Sequence, residues 1–375
     1  MKRMLRGIAL LAIASVVVLV SAETMARLDD AVRMGTPFLA SPEYNDLIMH
    51  DSLGIRGRPL AQYQKWRLNS AGFRGSEISR VPQPRCIRVA VIGASETFGY
   101  YESPGKEYPA QLADSLREKG CYEVVNAAIA GMSLPAAIQL WDNWVSRFRP
   151  DIVVLYLPPA FYLSEDPPHF AEPTHEGASP VPSRFALRLM DRLHDRIEYP
   201  DFIQRKRVAK SISREIAGKS DDWFFRTLPA DRLALFRTHL DSLVTSIRAT
   251  GAVPVLATHA MRFSDPPKAS DADLLRSWRK FSPRATEDVL LAFERAAAVS
   301  TRELAHERGL PLADVADLMT GQTQWFADFT HFDDGGAGVA ASVMARVIER
   351  LVVPRTAGGR AVVTGYGQSP AADYR

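Results

Sequence analysis

The 375-residue chain has only two cysteines, Cys86 and Cys121, and its eight histidines do not cluster. A structural zinc site takes four closely spaced ligands, so that class is set aside. There is no P-loop and no Gly-x-Gly-x-x-Gly, which removes the common phosphate cradles. The formal net charge of +3 is too small to argue for a nucleic-acid partner. No segment repeats along the chain, so a stacked-repeat architecture is excluded. Nothing in the sequence asks for a cofactor or a metal.

What is present is an ordinary globular composition, with 46% hydrophobic and 24% charged residues. That length and balance suit one large domain with extensions. The chain opens on Met1-Lys2-Arg3-Met4-Leu5-Arg6, followed by an unbroken apolar run from Gly7 to Ala22. A basic start before an apolar segment directs export. Val20-Ser21-Ala22 offers a small-x-small cleavage site, but Glu23 to Leu28 continues the helical pattern. An uncleaved anchor is therefore favoured over a cleaved signal peptide, with Lys2, Arg3 and Arg6 on the cytoplasmic side. The expected location is the inner membrane, single-pass, with the body of the protein outside the cytoplasm, or the periplasm if the leader is removed.

Residues 1–28 are read as this signal-anchor segment, and residues 29–85 as a wrapping extension with short helices. From residue 87 strand and helix patterns alternate. Strands are expected near 87–93, 122–128, 152–157, 253–258 and 310–314, and helices near 107–119, 134–148, 230–250, 286–308 and 336–351. Ile152-Val153-Val154-Leu155-Tyr156-Leu157 is a continuous apolar run, as in a parallel strand covered on both faces. The expected fold is α/β: a three-layer sandwich around a five-stranded, mainly parallel, flavodoxin-like sheet, spanning residues 86–353. A helical insertion over about 164–228, proline-rich and then basic, would overhang the strands' carboxyl ends as a lid or wall, or form a solvated hairpin. Residues 354–375 read as a disordered tail. Cys86 and Cys121 each precede a strand; if those strands are parallel neighbours a disulfide is possible, and an exported protein permits it.

Ser95 stands in Gly93-Ala94-Ser95-Glu96-Thr97-Phe98-Gly99, directly after the strand pattern Ile87 to Ile92. A serine at a strand-to-helix turn presents its hydroxyl at the sheet edge, where helix N–H groups face a developing oxyanion. Downstream, Asp328-Phe329-Thr330-His331 places a carboxylate three residues before a histidine, able to hold the imidazole in one tautomer. Nucleophile, base and orienting carboxylate are thus supplied by Ser95, His331 and Asp328, and ester cleavage or acyl transfer becomes the leading chemistry. Asp191-Arg192-Leu193-His194 repeats the spacing, but in an alternating-charge helical stretch where such pairs are common. His259, after the fourth strand, could face the site but is read first as structural, and Tyr156 and Tyr162 are read as packing residues.

In order and spacing these segments resemble the SGNH hydrolase superfamily, the GDSL-type esterases, in its exported bacterial form. The likeness runs from about Arg85 to Leu351. Gly93 to Gly99 resembles the first block and Asp328 to His331 the fifth. Asn126-Ala127-Ala128-Ile129-Ala130-Gly131 resembles the second, and Asn69 to Gly75 a segment that precedes block one. The resemblance implies that Gly131 joins Ser95 in donating backbone N–H groups to the oxyanion. It also implies a serine esterase acting on small ester or acylated-glycan substrates, acetyl esters of an envelope or extracellular polysaccharide among them. Two positions depart from the pattern. Ala94 replaces the block-one Asp, and Pro158-Pro159-Ala160-Phe161 lacks the block-three Asn, an oxyanion donor whose loss costs about 10²–10³ in turnover. An O-acyltransferase needs the same triad, and a non-catalytic glycan-binding or assembly protein would need none of it.

Overall fold

The structure, a computed structural model, describes residues 2–34, 38–39, 47–63, 65–164, 183–186, 188–189, 201–353 and 362–363. The expected tail beyond 354, the proline-rich stretch 166–182, and the Asp191–His194 pair lie largely or wholly outside these residues.

The first helix, α1 (Lys2–Met34), runs past the expected end at 28. It contains a stretch, Arg6–Val32, long and apolar enough to cross a membrane. Leu11, Val18 and their neighbours are exposed. Its second half is tied to the body. The Glu23 carboxylate accepts from the Ser183 hydroxyl at 2.7 Å and from the Arg184 and Phe185 N–H groups at 3.0 and 2.9 Å. Buried Asp30 pairs with Arg184 and Arg188.

Among its described residues, the extension expected to hold short helices carries two antiparallel hairpins. β1 (Ile48–Asp51) pairs with β2 (Gly54–Gly57), and β3 (Gln62–Tyr63) with β4 (Trp66–Arg67). Strands this short leave no period to read. Gly57 meets Gly72 backbone to backbone: a Cβ on either would stand about 2 Å from the other's carbonyl oxygen, so only glycine allows the approach.

The central sheet comprises β5 (Ile87–Gly93), β6 (Tyr122–Asn126), β7 (Ile152–Tyr156), β8 (Val253–Ala257) and β9 (Leu312–Ala313), all parallel, in the order β6-β5-β7-β8-β9. Every residue of β5 and β7 is buried. Their side chains alternate between two cores. Val89, Val91, Ile152 and Val154 face α3 (Tyr108–Arg117) and the last helix, Asp334–Leu351, through Leu112, Leu116, Met344 and Ile348. Ala90, Ile92, Val153 and Leu155 face α4 (Leu134–Asn143) and the helices Ala230–Ala249 and Glu287–Arg308, through Leu140, Trp141, Leu243, Ile247 and Phe293. Each such aliphatic chain, fully buried, contributes about 1.5–3 kcal/mol. The strand order reverses between β5 and β7, and sheets of this type bind ligands at such a switch point, beyond the carboxyl ends. At the opposite edge Cys86 and Cys121 form a disulfide, with Cα atoms 4.5 Å apart.

Candidate active site

Ser95 opens a four-residue helix, α2 (Ser95–Phe98), directly after β5. The turn is tight enough that a Cβ on Gly93 would stand 1.8 Å from Thr97 Oγ1 and 2.5 Å from the Tyr156 carbonyl oxygen. Ala94, where the family pattern has Asp, is wholly buried in the apolar core. The far end of α2 is held by Arg74, whose guanidinium donates to the Phe98 and Gly99 carbonyls and pairs with Glu107. Trp66 Nε1 also donates to Gly99 O, at 3.2 Å. The extension therefore braces the helix that carries Ser95. Asn126, ending β6, donates from Nδ2 to Thr97 O at 3.0 Å, and its Oδ1 accepts from the Ala128 N–H. That links α2 to the loop carrying Gly131. Gly131 has φ +79° with open space around its Cβ position, so its backbone angle, not crowding, asks for glycine.

Ser95, His331 and Asp328, far apart in the chain, meet at this edge. Ser95 Oγ lies 2.8 Å from His331 Nε2, and His331 Nδ1 lies 2.8 Å from Asp328 Oδ2. Asp328 Oδ1 also accepts the N–H groups of Thr330 and His331, which folds the Asp-x-x-His loop around its carboxylate. With Nδ1–H donating to Asp328, the Nε2 lone pair accepts the Ser95 hydroxyl. Burial lowers the His331 pKa. The Asp328 hydrogen bond and the charges of Glu96, Asp328 and Glu102 outweigh burial and hold it above the ordinary histidine value. Burial, with a smaller contribution from nearby Asp328, pushes Tyr101 up to about 12.

A second polar group lies beneath the first. Glu96 Oε1 accepts from the Thr330 hydroxyl at 2.9 Å and lies 3.5 Å from His259 Nε2. His259 Nδ1 lies 2.7 Å from Glu294 Oε2. All three side chains are buried. Burial drives His259 down, but the charges and hydrogen bonds of Glu294 and Glu96 overcome it and lift the imidazole to about 10. Burial likewise drives Glu96 up, and the His259 hydrogen bond with the charges of His331 and His259 brings it to about 2.

Above both groups opens a cavity of about 420 Å³, lined by Ser95, Ala130, Gly131, Ala160, His331 and a set of aromatic side chains. Trp278 stacks on Phe329 at 5.6 Å and 11°. Phe281 and Tyr101, at the rim, are 63% and 50% exposed. Pro158, Ala160 and Phe161 line it where the family pattern has its Asn, and no side-chain amide lines it among the described residues. Two other grooves, of about 500 and 590 Å³, contain no histidine.

Residues 165–182 and 190–200 of the expected 164–228 insertion lie outside the described residues. Trp278, on the helix Ala272–Arg279, and Phe281 and Ser282 just after it line the cavity. Sequence reading also passed over Glu96, Glu294 and the rim tyrosines. Glu96, Tyr100 and Tyr101 stand close to the Ser95 motif, whereas Glu294 lies inside the helix Glu287–Arg308 and carried no such signal. His259 is buried, as expected of a structural residue, yet it reaches the cavity. Tyr156 and Tyr162 are packing residues: Tyr156 Oη accepts the Ala260 N–H and Tyr162 Oη meets His239 Nδ1.

Protein-family models and curated proteins gave no match to the chain. Among solved structures it is similar to a lipase/acylhydrolase from Enterococcus faecalis, at 15% identity and TM-score 0.43, over 72% of this chain and 100% of that one. It is similar to a member of the lipolytic G-D-S-L family from Veillonella parvula, at 13% identity and TM-score 0.40, over 71% and 100%. A mutant of an acetyl-xylooligosaccharide esterase from Geobacillus matches at 13% identity and TM-score 0.41, over 70% and 93%. The chemical reading rests on the geometry of the site.

Proposed function

We propose that this chain is a serine esterase that hydrolyses O-acyl esters carried by a glycan outside the cytoplasm. The observation that carries the reading is the unbroken line of short hydrogen bonds from Asp328 through His331 to Ser95 at the mouth of an aromatic-lined cavity. Ser95 Oγ attacks the ester carbonyl carbon while its proton passes to His331 Nε2. The developing oxyanion is met by the backbone N–H groups of Ser95 and Gly131. The imidazolium returns the proton to the departing alkoxide, and water then repeats the sequence on the acyl-enzyme. Asp328 holds the imidazole's tautomer and stabilises its charge. The small residues Ala130, Gly131 and Ala160 beside Ser95 suit a short acyl group such as acetyl. The exposed faces of Phe281 and Tyr101 suit the flat, apolar face of a sugar ring. α1, with Lys2, Arg3 and Arg6 before its apolar run, anchors the enzyme in the inner membrane with the catalytic domain outside.

The test uses the full-length protein in detergent. A fluorophosphonate should label wild type and leave Ser95→Ala unlabelled, and wild type should release acetate from acetylated polysaccharide. A folded wild type that neither labels nor releases acetate sinks the reading. Phe281→Ala should raise KM for the polysaccharide several-fold and leave turnover of p-nitrophenyl acetate unchanged.

A further inference from the structure

The site holds more buried charge than a triad uses. Glu96 follows the nucleophile directly, and its Oε2 lies 3.4 Å from Ser95 Oγ. Its other oxygen takes the hydroxyl of Thr330, which sits inside the loop that carries Asp328 and His331. One carboxylate thus touches the nucleophile on one side and the base's loop on the other. A carboxylate this buried is costly unless paired. Here His259 supplies the pairing charge, and Glu294 holds His259 through its far nitrogen. A negative charge beside a forming oxyanion is unfavourable by itself, and the His259 imidazolium offsets it. The same charge favours the one group that becomes cationic during attack, His331.

We propose that Glu96 is a positioning residue for the Ser95–His331 pair, a second carboxylate kept ionised and in place by His259, Glu294 and Thr330. The inference rests on the reading of Ser95 as nucleophile. When the Ser95 O–H bond breaks and Oγ bonds to the carbonyl carbon, the proton resides on His331 Nε2, and the field of Glu96 stabilises it there. The groups that bear on His331 are Asp328 on its own loop, Ser95 and Glu96 of α2, and Tyr100, Tyr101 and Glu102 just after α2, with Arg74 beyond Glu102. Removing the Glu96 charge leaves Asp328, with Glu102 adding its charge only above about 7, where burial has pushed its carboxyl, so His331 still works as a base but loses its proton at lower pH.

The measurement is the rate of fluorophosphonate labelling across pH in the detergent-solubilised full chain, with a thermal melt for each variant. For Glu96→Gln the acid limb of the profile should move down by about one pH unit, with the plateau rate about tenfold lower. Thr330→Val, which releases the carboxylate without removing its charge, should lower the rate several-fold and leave the limb in place. A limb at the wild-type pH in folded Glu96→Gln overturns the proposal, as does a wild-type rate in Thr330→Val. If Glu96→Gln does not fold, Thr330→Val decides alone. A wild type that does not label removes the Ser95 reading itself, a result distinct from an unmoved limb.

Discussion

Among the described residues, two carboxylate–histidine pairs border the same cavity. In both, a carboxylate oxygen sits on the imidazole Nδ1, at 2.8 Å for Asp328–His331 and 2.7 Å for Glu294–His259. They differ at the other nitrogen. His331 Nε2 meets a hydroxyl, which can give up a proton, so the ring can cycle between neutral and charged. His259 Nε2 faces a second carboxylate, Glu96, which adds to Glu294 in holding the ring charged up to about pH 10. The partner on Nε2, more than the carboxylate on Nδ1, decides whether such a pair serves as a base or as a fixed charge.

Breaking the first pair should have the largest effect. Asp328→Asn keeps the shape but favours the wrong tautomer, and the fluorophosphonate labelling rate should fall about 10⁴-fold with little change in the melt. Breaking the second should show the reverse balance. His259→Gln leaves two buried carboxylates uncompensated and should cost about 3–5 kcal/mol, read as a lower midpoint in urea.

Proton linkage sharpens the contrast. His259 is raised from 6.5 to about 10, so its contribution to stability is full below 6.5, declines above it, and is gone above about 10. Glu96 is lowered from 4.5 to about 2, so its contribution is full above 4.5 and is lost as pH falls through about 2. The cluster should therefore stabilise most between those ordinary values, and melts across pH in Glu96→Gln should lose that maximum. Activity should follow a different curve. It rises with pH as His331 loses its proton, at a value above the ordinary histidine one. If the stability maximum and the acid limb of labelling shifted together in every variant, the two histidines would not be separate devices.

The parts legible in sequence were those with a local signature. β5 and β7 are buried on both faces, so their sequences are unbroken apolar runs. Ser95 stood out because it follows such a run, and Asp328 and His331 because only Phe329 and Thr330 separate them. The extension's hairpins were illegible, since two- and four-residue strands give no period. Glu96 looked like any helix-start acid because its partners His259 and Thr330, and Glu294 behind His259, come from three distant segments. Trp278 and Phe281 carry no motif, and only the tertiary fold brings them to the cavity.

The Cys86–Cys121 bond closes the sheet at the edge opposite Ser95. In the chain-entropy model a loop of that size contributes about 3–4 kcal/mol, and neither cysteine lines the cavity above Ser95. The bond therefore works as a record of each molecule's history. Protein matured in a reducing compartment should keep its chemistry yet melt earlier, so the gap between melts with and without reductant dates the passage of a sample through an oxidising one.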